Sequence, residues 1–462
     1  MTAELQALDA TLLARIQFGF TITFHILFPA LSIGLGGFLV VLEALWLRSG
    51  EARWWHLLRF WTTLFALAFG MGVVSGIVLS YQFGTNWSGL MAKAGQIMGP
   101  LLSYETLTAF FLEASFLGVL LFGWKRVSPR VHLLSTCMVA LGTCISAFWI
   151  MASNSWMQTP AGYSLQGGTF VPDDWWAVVF SPSFPLRFAH MLIAAYLATA
   201  FLVAGVAAWY LLARRFEPLA RPMLVLALAL IVPLAPLQVG VGDATGLMIA
   251  EHQPAKLAAM EAHWQTGVMP LRLFAWPDQE AARNRVELGI PKLGSLITAH
   301  SLDAPVRGLE EFAPADRPRV AVVFWTFRLM VGIGLAMLGV ALAALLLRRR
   351  AFTARWFLRT LVAMAPMGFV AIVAGWYTSE IGRQPYVVYG LLRTADAVSP
   401  VASGQVGLSL ALFVLVYLAV FGAGFGYLVA AIRKGPVEVA LPDAVQLGNR
   451  PLAGAPGHTR LR

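Results

Sequence analysis

Charge is scarce in this chain. Asp, Glu, Lys and Arg make up 12% of its 462 residues, against 58% hydrophobic, whereas soluble domains carry roughly 25% charged residues. That balance excludes an ordinary water-soluble domain. Cysteine is nearly absent too, with only Cys137 and Cys144. Seven positions apart on one apolar run, they would lie about 10 Å apart on a helix, too far for a disulfide. They read as packing residues. Zinc-ligand spacings, nucleotide-binding glycine loops, low-complexity tracts and fixed-period repeats are missing as well.

What the chain has instead is nine long apolar runs, near residues 16–47, 57–81, 101–124, 131–151, 188–212, 223–239, 320–347, 356–377 and 406–432. Each reaches the length of about 17 residues needed to cross a hydrocarbon core about 30 Å thick. In hydrocarbon the backbone must satisfy its own hydrogen bonds, so the runs are helices. The fold class expected is an all-α polytopic membrane protein, a bundle of nine transmembrane helices. The first run is too long for a signal-peptide core and no small-residue cleavage site follows it, so it is expected to remain.

The formal net charge of +10 invites a nucleic-acid partner, but its placement excludes one. Arg48, Arg53, Lys125, Arg126, Arg130, Arg214, Arg215, Arg221, Arg348, Arg349, Arg350 and Arg355 fall in the short loops after runs one, three, five and seven, and Arg433 and Lys434 follow run nine. The short loops on the other side hold little beyond Lys93, Arg187, Arg383 and Arg393. By the positive-inside rule the N-terminus is periplasmic and the C-terminus cytoplasmic. Helices one to six then occupy 1–241, a polar outer loop 242–319, helices seven to nine 320–432, and a loose Pro/Gly-rich tail 433–462. Within the outer loop, residues 255–264 have the composition of a short helix. Gly70, Gly72 and Gly76 on the second run suit close helix packing.

Of the eight histidines, His25 and His190 are the two expected to lie in hydrocarbon. An intramembrane imidazole is costly without a partner or a task, and neutral imidazole is the usual axial ligand of haem iron. His25 lies roughly 13 Å into the first run and His190 near the first turn of the fifth. Arg328 and Met330 lie about 12–15 Å into the seventh, and Glu380 just beyond the outer end of the eighth. All fall in the outer half of the membrane, which points to one shared haem site. His/Met ligation suits a low-spin haem, and Arg328 suits its propionates. Taken singly, each residue also reads as packing. Glu105 and Glu113, eight apart on the third run, advance about 12 Å and rotate about 80° along one interior side. They read as a proton relay or as structural carboxylates. Glu43, near the inner end of the first run, is expected to snorkel. His56 and His132 fall at cytoplasmic edges, His252, His263 and His300 in the outer loop, and His458 in the tail.

Eight motifs, in order, carry a family resemblance: Arg15-Ile-Gln-Phe-Gly-Phe-Thr-Ile-Thr-Phe-His25, Gln82-Phe-Gly-Thr-Asn-Trp87, Phe110-Phe-Leu-Glu113, Asn154-x-Trp-Met-Gln158, Gly242-Asp-x-Thr-Gly246, Lys256-Leu-Ala-Ala-Met-Glu261, Phe327-Arg-Leu-Met330 and Gly375-Trp-x-x-x-Glu-x-Gly-Arg-Gln-Pro385. The chain resembles subunit I of the cytochrome bd-type quinol oxidases, in the short Q-loop, cyanide-insensitive-like branch. The resemblance implies that His190 and Met330 ligate a low-spin haem b. His25 and Glu380 would serve a high-spin haem b and a third haem, of d or b type. Arg328 and Arg383 would contact propionates, Glu105 and Glu113 would deliver protons or touch haem, and Lys256 and Glu261 would bind quinol in the outer loop. It also implies a subunit II of similar size, leaves open a small single-helix subunit, and puts the chain among lipid and quinol in a bacterial inner membrane. One departure is Tyr386, where the family often has Trp. The activity implied is quinol oxidation at the periplasmic side and reduction of O₂ to water with cytoplasmic protons, building a gradient without pumping. Haem–copper oxidases need more intramembrane histidines than this chain has, and a bc-type cytochrome b needs two on each of two helices. Rivals of other classes are a proton- or ion-coupled transporter without haem and a haemless structural subunit.

Overall fold

The computed structural model describes residues 9–439. Among these residues, nine helices are long and apolar enough to cross a membrane. They are α1 (Ala10–Ser49), α2 (Ala52–Thr85), α3 (Ser88–Lys125), α4 (Pro129–Gln158), α5 (Phe184–Leu212), α6 (Glu217–His252), α7 (Val320–Leu347), α8 (Arg355–Ile381) and α9 (Ser403–Lys434). Local chemistry sets their ends. The Asp9 side chain caps the Thr11 amide at 3.2 Å, and Gly50 closes α1 at φ 69°, where a side chain would be strained. Ser128 caps α4 and Pro129 opens it.

The expected helices are present, with differences at their ends. The α7 bounds match the apolar run, because a uniformly hydrophobic stretch meets polar loops at both sides. By contrast α3 begins at Ser88 rather than near residue 101. Its first turns carry Lys93 and Gln96, which hide the helix from hydropathy, yet Leu90, Ala94, Ile97 and Met98 are buried. Likewise α6 runs on to His252, so the Gly242–Gly246 motif and His252 are helical instead of looped. Thr245 Oγ1 donates to the Val241 carbonyl at 2.7 Å and His252 Nδ1 lies 3.2 Å from the Met248 carbonyl, so these polar side chains are satisfied within the helix itself. Arg187, counted above as a loop charge, lies inside α5. Residues 440–462, with His458 and most of the expected tail, lie outside the described residues.

Successive helices run antiparallel, giving a basic end, with the Arg-rich short loops, and a loop end, with the long connection between α6 and α7. The largest apolar cluster fills the half toward the basic end, with Leu39, Trp61, Phe65, Phe201, Tyr210, Phe357 and Phe421 buried. Polar side chains concentrate in the other half. Gly205 and Gly368 lock α5 to α8: a Cβ on either would come within 2.5 Å of the facing helix. Gly72 and Gly76 face α1 as expected, but Gly70 faces open space.

The long connection carries regular structure beyond the expected short helix. A short helix, Pro254–Met260, precedes an antiparallel hairpin, Leu271–Asp278 with Arg283–Ile290, and a second short helix, Leu293–Ala299. Ala258, Ala259, Met260 and Trp264 pack on Val320, Val323 and Phe324 of α7, seating the loop on the bundle.

Candidate active site

Glu380, in the last turn of α8, is the centre of the loop-end polar cluster. Its Oε1 accepts from Gln158 Nε2 (2.9 Å) and Asn154 Nδ2 (3.2 Å), both on α4, and its Oε2 is ion-paired with Arg383. Arg187 reaches in from α5, donating to Ser379 Oγ at 3.0 Å and to Asn154 Oδ1. From the loop above, Lys256 Nζ donates to Gln158 Oε1 and Gln253 Oε1, each at 2.5 Å, and the residue is 1% exposed. Burial, with the repulsion of Arg187, holds the Lys256 amine well below the ordinary lysine range, against the pull of Glu380.

Two guanidinium groups and one lysine amine thus face one carboxylate in low dielectric. Arg187 Nε and Arg383 Nε and Nη1 are buried with no hydrogen-bond partner, and such groups are expensive to leave unpaired. This donor set suits a carboxylate-bearing ligand. Haem propionates are such carboxylates.

The other candidate ligands lie beside this cluster. His190 is three residues beyond Arg187 on α5, and Gly242 of α6 lies flush against its ring: a Cβ there would sit 3.5 Å from Cε1. Its Nδ1 is buried and unpartnered. Met330 of α7 packs on Gly375 of α8, where a Cβ would lie 2.7 Å from the thioether sulfur. Gly375 is five residues, about 7.5 Å, along α8 from Glu380. His25 faces α2, with Nδ1 3.0 Å from Ser75 Oγ and Gly76 beside its Cε1. The Ser75 hydroxyl has the Met71 and Gly72 carbonyls to donate to. It therefore accepts from Nδ1–H and leaves the Nε2 lone pair free, the arrangement that orients metal-ligating imidazoles. Thr23 Oγ1, near His25 on α1, meets Tyr377 of α8 at 2.7 Å and ties this helix to the Glu380 region.

Glu261, at the end of the short loop helix, is held by Arg328 of α7: Nη2 lies 2.5 Å from Oε2, and Arg328 Nε donates to the Arg272 carbonyl at 2.6 Å. Arg328 therefore anchors the loop.

Glu105 and Glu113 align better than α-helical geometry predicts. A π-helical turn, Thr106–Phe110, lies between them. It accommodates one extra residue, so eight positions turn about as far as seven do in an α-helix, close to two full turns. Both carboxylates face α4. Ser146 Oγ donates to Glu105 Oε1 at 2.8 Å, and a Cβ on Gly142 would lie 2.5 Å from Glu113 Cγ.

Glu43 does not snorkel. It is 0% exposed and bonded to His132 and Thr136 of α4, because a partner on the facing helix removes the need to reach water. Sequence reasoning also missed Arg187 and gave Gln158 no role, although the latter bridges Glu380 and Lys256. Its place in the Asn154–Gln158 motif was the available signal.

The family model described as cytochrome bd terminal oxidase subunit I matches residues 13–436. The chain is 37% identical over 443 residues to the cytochrome bd ubiquinol oxidase subunit 1 of Bacillus subtilis, covering 92% of this chain and 93% of that one. It is 34% identical over 485 residues to the cytochrome bd-II ubiquinol oxidase subunit 1 of Escherichia coli, covering 88% and 93%. Its fold is similar to that of a chain of the bd oxidase from Geobacillus thermodenitrificans, with TM-score 0.86 at 33% identity over 93% of this chain and 99% of that one. The chain therefore belongs to the cytochrome bd terminal oxidase subunit I family.

Proposed function

We propose that this multi-pass membrane protein is the haem-bearing subunit of a quinol:oxygen oxidoreductase. It oxidises quinol at the loop end and reduces oxygen to water with protons drawn from the basic end. The loop end then faces the periplasm and the basic end the cytoplasm, as the Lys/Arg asymmetry favours. The observation that carries this reading is the buried cluster in which Arg187, Arg383 and Lys256 surround Glu380 with unpartnered guanidinium nitrogens.

His190 and Met330 would hold a low-spin haem b. His25 and Glu380 would hold the high-spin haem b and the third haem, of d or b type, with Arg383 and Arg328 on propionates and Arg187 added to them. Bound there, haem iron supplies one-electron redox chemistry and oxygen binding.

The remaining work belongs to the chain. Lys256, biased toward its neutral amine, is suited to accept a proton from a quinol hydroxyl. Glu261, fixed by Arg328, is suited to hold the other end of the quinol head. Both are buried, so quinol binding requires the loop to open. Glu113 and Glu105, on one face of α3, form the inward proton path. Electrons enter at one end and protons at the other, so charge is separated without pumping. Subunit II, and in some assemblies a small single-helix subunit, would cover part of the apolar surface that includes the exposed Leu408, Leu412, Leu415 and Leu418 of α9; lipid would cover the rest.

Pyridine haemochrome analysis with oxygen uptake on added quinol tests the reading. Haem together with quinol-dependent uptake is expected. A colourless complex that takes up no oxygen contradicts it and favours an ion-coupled transporter.

A further inference from the structure

At the basic end, away from the cationic pocket, two titratable side chains are buried together that the reading above does not use. Glu43 of α1 is 0% exposed and His132 of α4 is 3% exposed. His132 Nδ1 lies 2.7 Å from Glu43 Oε1, and Thr136 Oγ1 donates to Glu43 Oε2 at 2.6 Å. His132 Nε2 lies 3.2 Å from the Leu120 carbonyl. A carbonyl only accepts, so that bond needs a hydrogen on Nε2. One further proton then occupies the Nδ1–Oε1 contact, as imidazolium–carboxylate or as imidazole–carboxylic acid. The pair is a two-position seat for a single proton. The Trp124 ring covers His132 with centroids 3.8 Å apart, and the Arg59 guanidinium lies 4.7 Å from the Trp124 centroid. Cys137 is a further titratable group near Glu43.

A clamp holding α1 to α4 would need no more than this, but the placement goes further. His132 lies in the first turn of α4, next to the basic loop. On α4, His132, Thr136, Gly142 and Ser146 fall within about a third of the helix circumference. Gly142 abuts Glu113 and Ser146 holds Glu105. About 9 Å of helix axis separates Thr136 from Gly142. Just past that interval, the buried Thr143 hydroxyl, beside Gly36 of α1, reaches back to donate to the Ala140 carbonyl at 2.8 Å. A single stripe of α4 therefore passes the Glu43–His132 pair, then Glu113, then Glu105.

We propose that Glu43 and His132 form the loading site through which cytoplasmic protons reach Glu113, a role that rests on reading Glu113 and Glu105 as the inward path. A proton taken up from the cytoplasm replaces the one passed to the Glu113 carboxylate, so the pair ends each transfer unchanged.

The test uses the complete oxidase complex. Glu43→Gln keeps hydrogen bonds to His132 and Thr136 but cannot exchange a proton. Expected are oxygen uptake at least tenfold slower, an unchanged haem spectrum and quinol KM, a larger solvent deuterium isotope effect, and loss of one carboxyl band from the reduced-minus-oxidised infrared spectrum. Wild-type rate with every carboxyl band retained overturns the loading site. Should Glu43→Gln assemble poorly, His132→Gln carries the same test. Loss of haem in both variants identifies a structural clamp and also overturns the proposal. Wild-type turnover in Glu113→Gln is a separate result, which removes the relay reading beneath it.

Discussion

The two ends of the bundle treat buried charge in opposite ways. At the loop end Glu380 meets Arg187, Arg383 and Lys256, and guanidinium nitrogens are left without partners. At the basic end Glu43, His132 and Thr136 satisfy one another. A buried donor without a partner costs about 1–3 kcal/mol, and more when charged. The first arrangement is matched to an anion from outside the chain; the second is neutral within itself and can hold and release one proton. A cationic pocket suits a carboxylate-bearing cofactor, and a closed acid–base pair suits proton transfer.

The contrast is broken most severely by Glu380→Ala, which leaves the buried Arg187 and Arg383 without their carboxylate. Removing one partner of a buried pair costs about 3–5 kcal/mol, so loss of assembled complex is expected, read as yield and melting temperature. The double variant Glu380→Gln with Arg383→Gln should be milder, because it removes one charge of each sign. A stable Glu380→Ala complex would show that the cluster is already balanced.

A sharper test lies in two glycines. A Cβ on Gly375 would sit 2.7 Å from the Met330 sulfur, whereas one on Gly242 would sit 3.5 Å from His190 Cε1, an ordinary contact. Gly375→Ala should therefore displace Met330 and alter the low-spin haem band, while Gly242→Ala leaves that band in place. Equal effects would argue against Met330 as a ligand.

At the loop itself, Arg328→Lys replaces a two-pronged contact with Glu261 by a single point charge. We expect the quinol KM to rise several-fold, about 1 kcal/mol, at nearly unchanged kcat. An unchanged KM would detach Glu261 from quinol binding.

The smallest effect concerns pH. The Ala281 amide and Arg285 hold the Asp278 carboxyl below its usual range. Burial pushes Glu287 up, but Arg272 and Asn284 outweigh it, so Glu287 is also lowered. A carboxylate whose folded pKa is depressed contributes stability above the unfolded value, about 4, and loses it as pH falls through the folded value. Amide protection factors in the hairpin, exchange rates taken relative to the intrinsic rate at each pH, should fall below about pH 4 and stay level above it.

Only part of this contrast was legible in the residues. Run length and loop charge were enough for nine helices, and depth alone put His25, His190, Met330 and Glu380 toward one end. The basic-end pair was not legible, because Glu43 and His132 are 89 positions apart and each, alone near a helix end, reads as interfacial. Arg187 was hidden in the same way: one arginine at the head of an apolar run gives no sign that the helix starts at Phe184 and carries it inward. The π turn in α3 has no hydropathy signature, so the alignment of Glu105 with Glu113 emerges only from the folded chain.

The most direct test of the loop-end pocket as a haem site is the reduced-minus-oxidised absorbance spectrum of the purified complex carrying His190→Ala, set beside wild type. The account predicts that the low-spin b-type signal disappears while the high-spin features remain. A spectrum identical to wild type would contradict it.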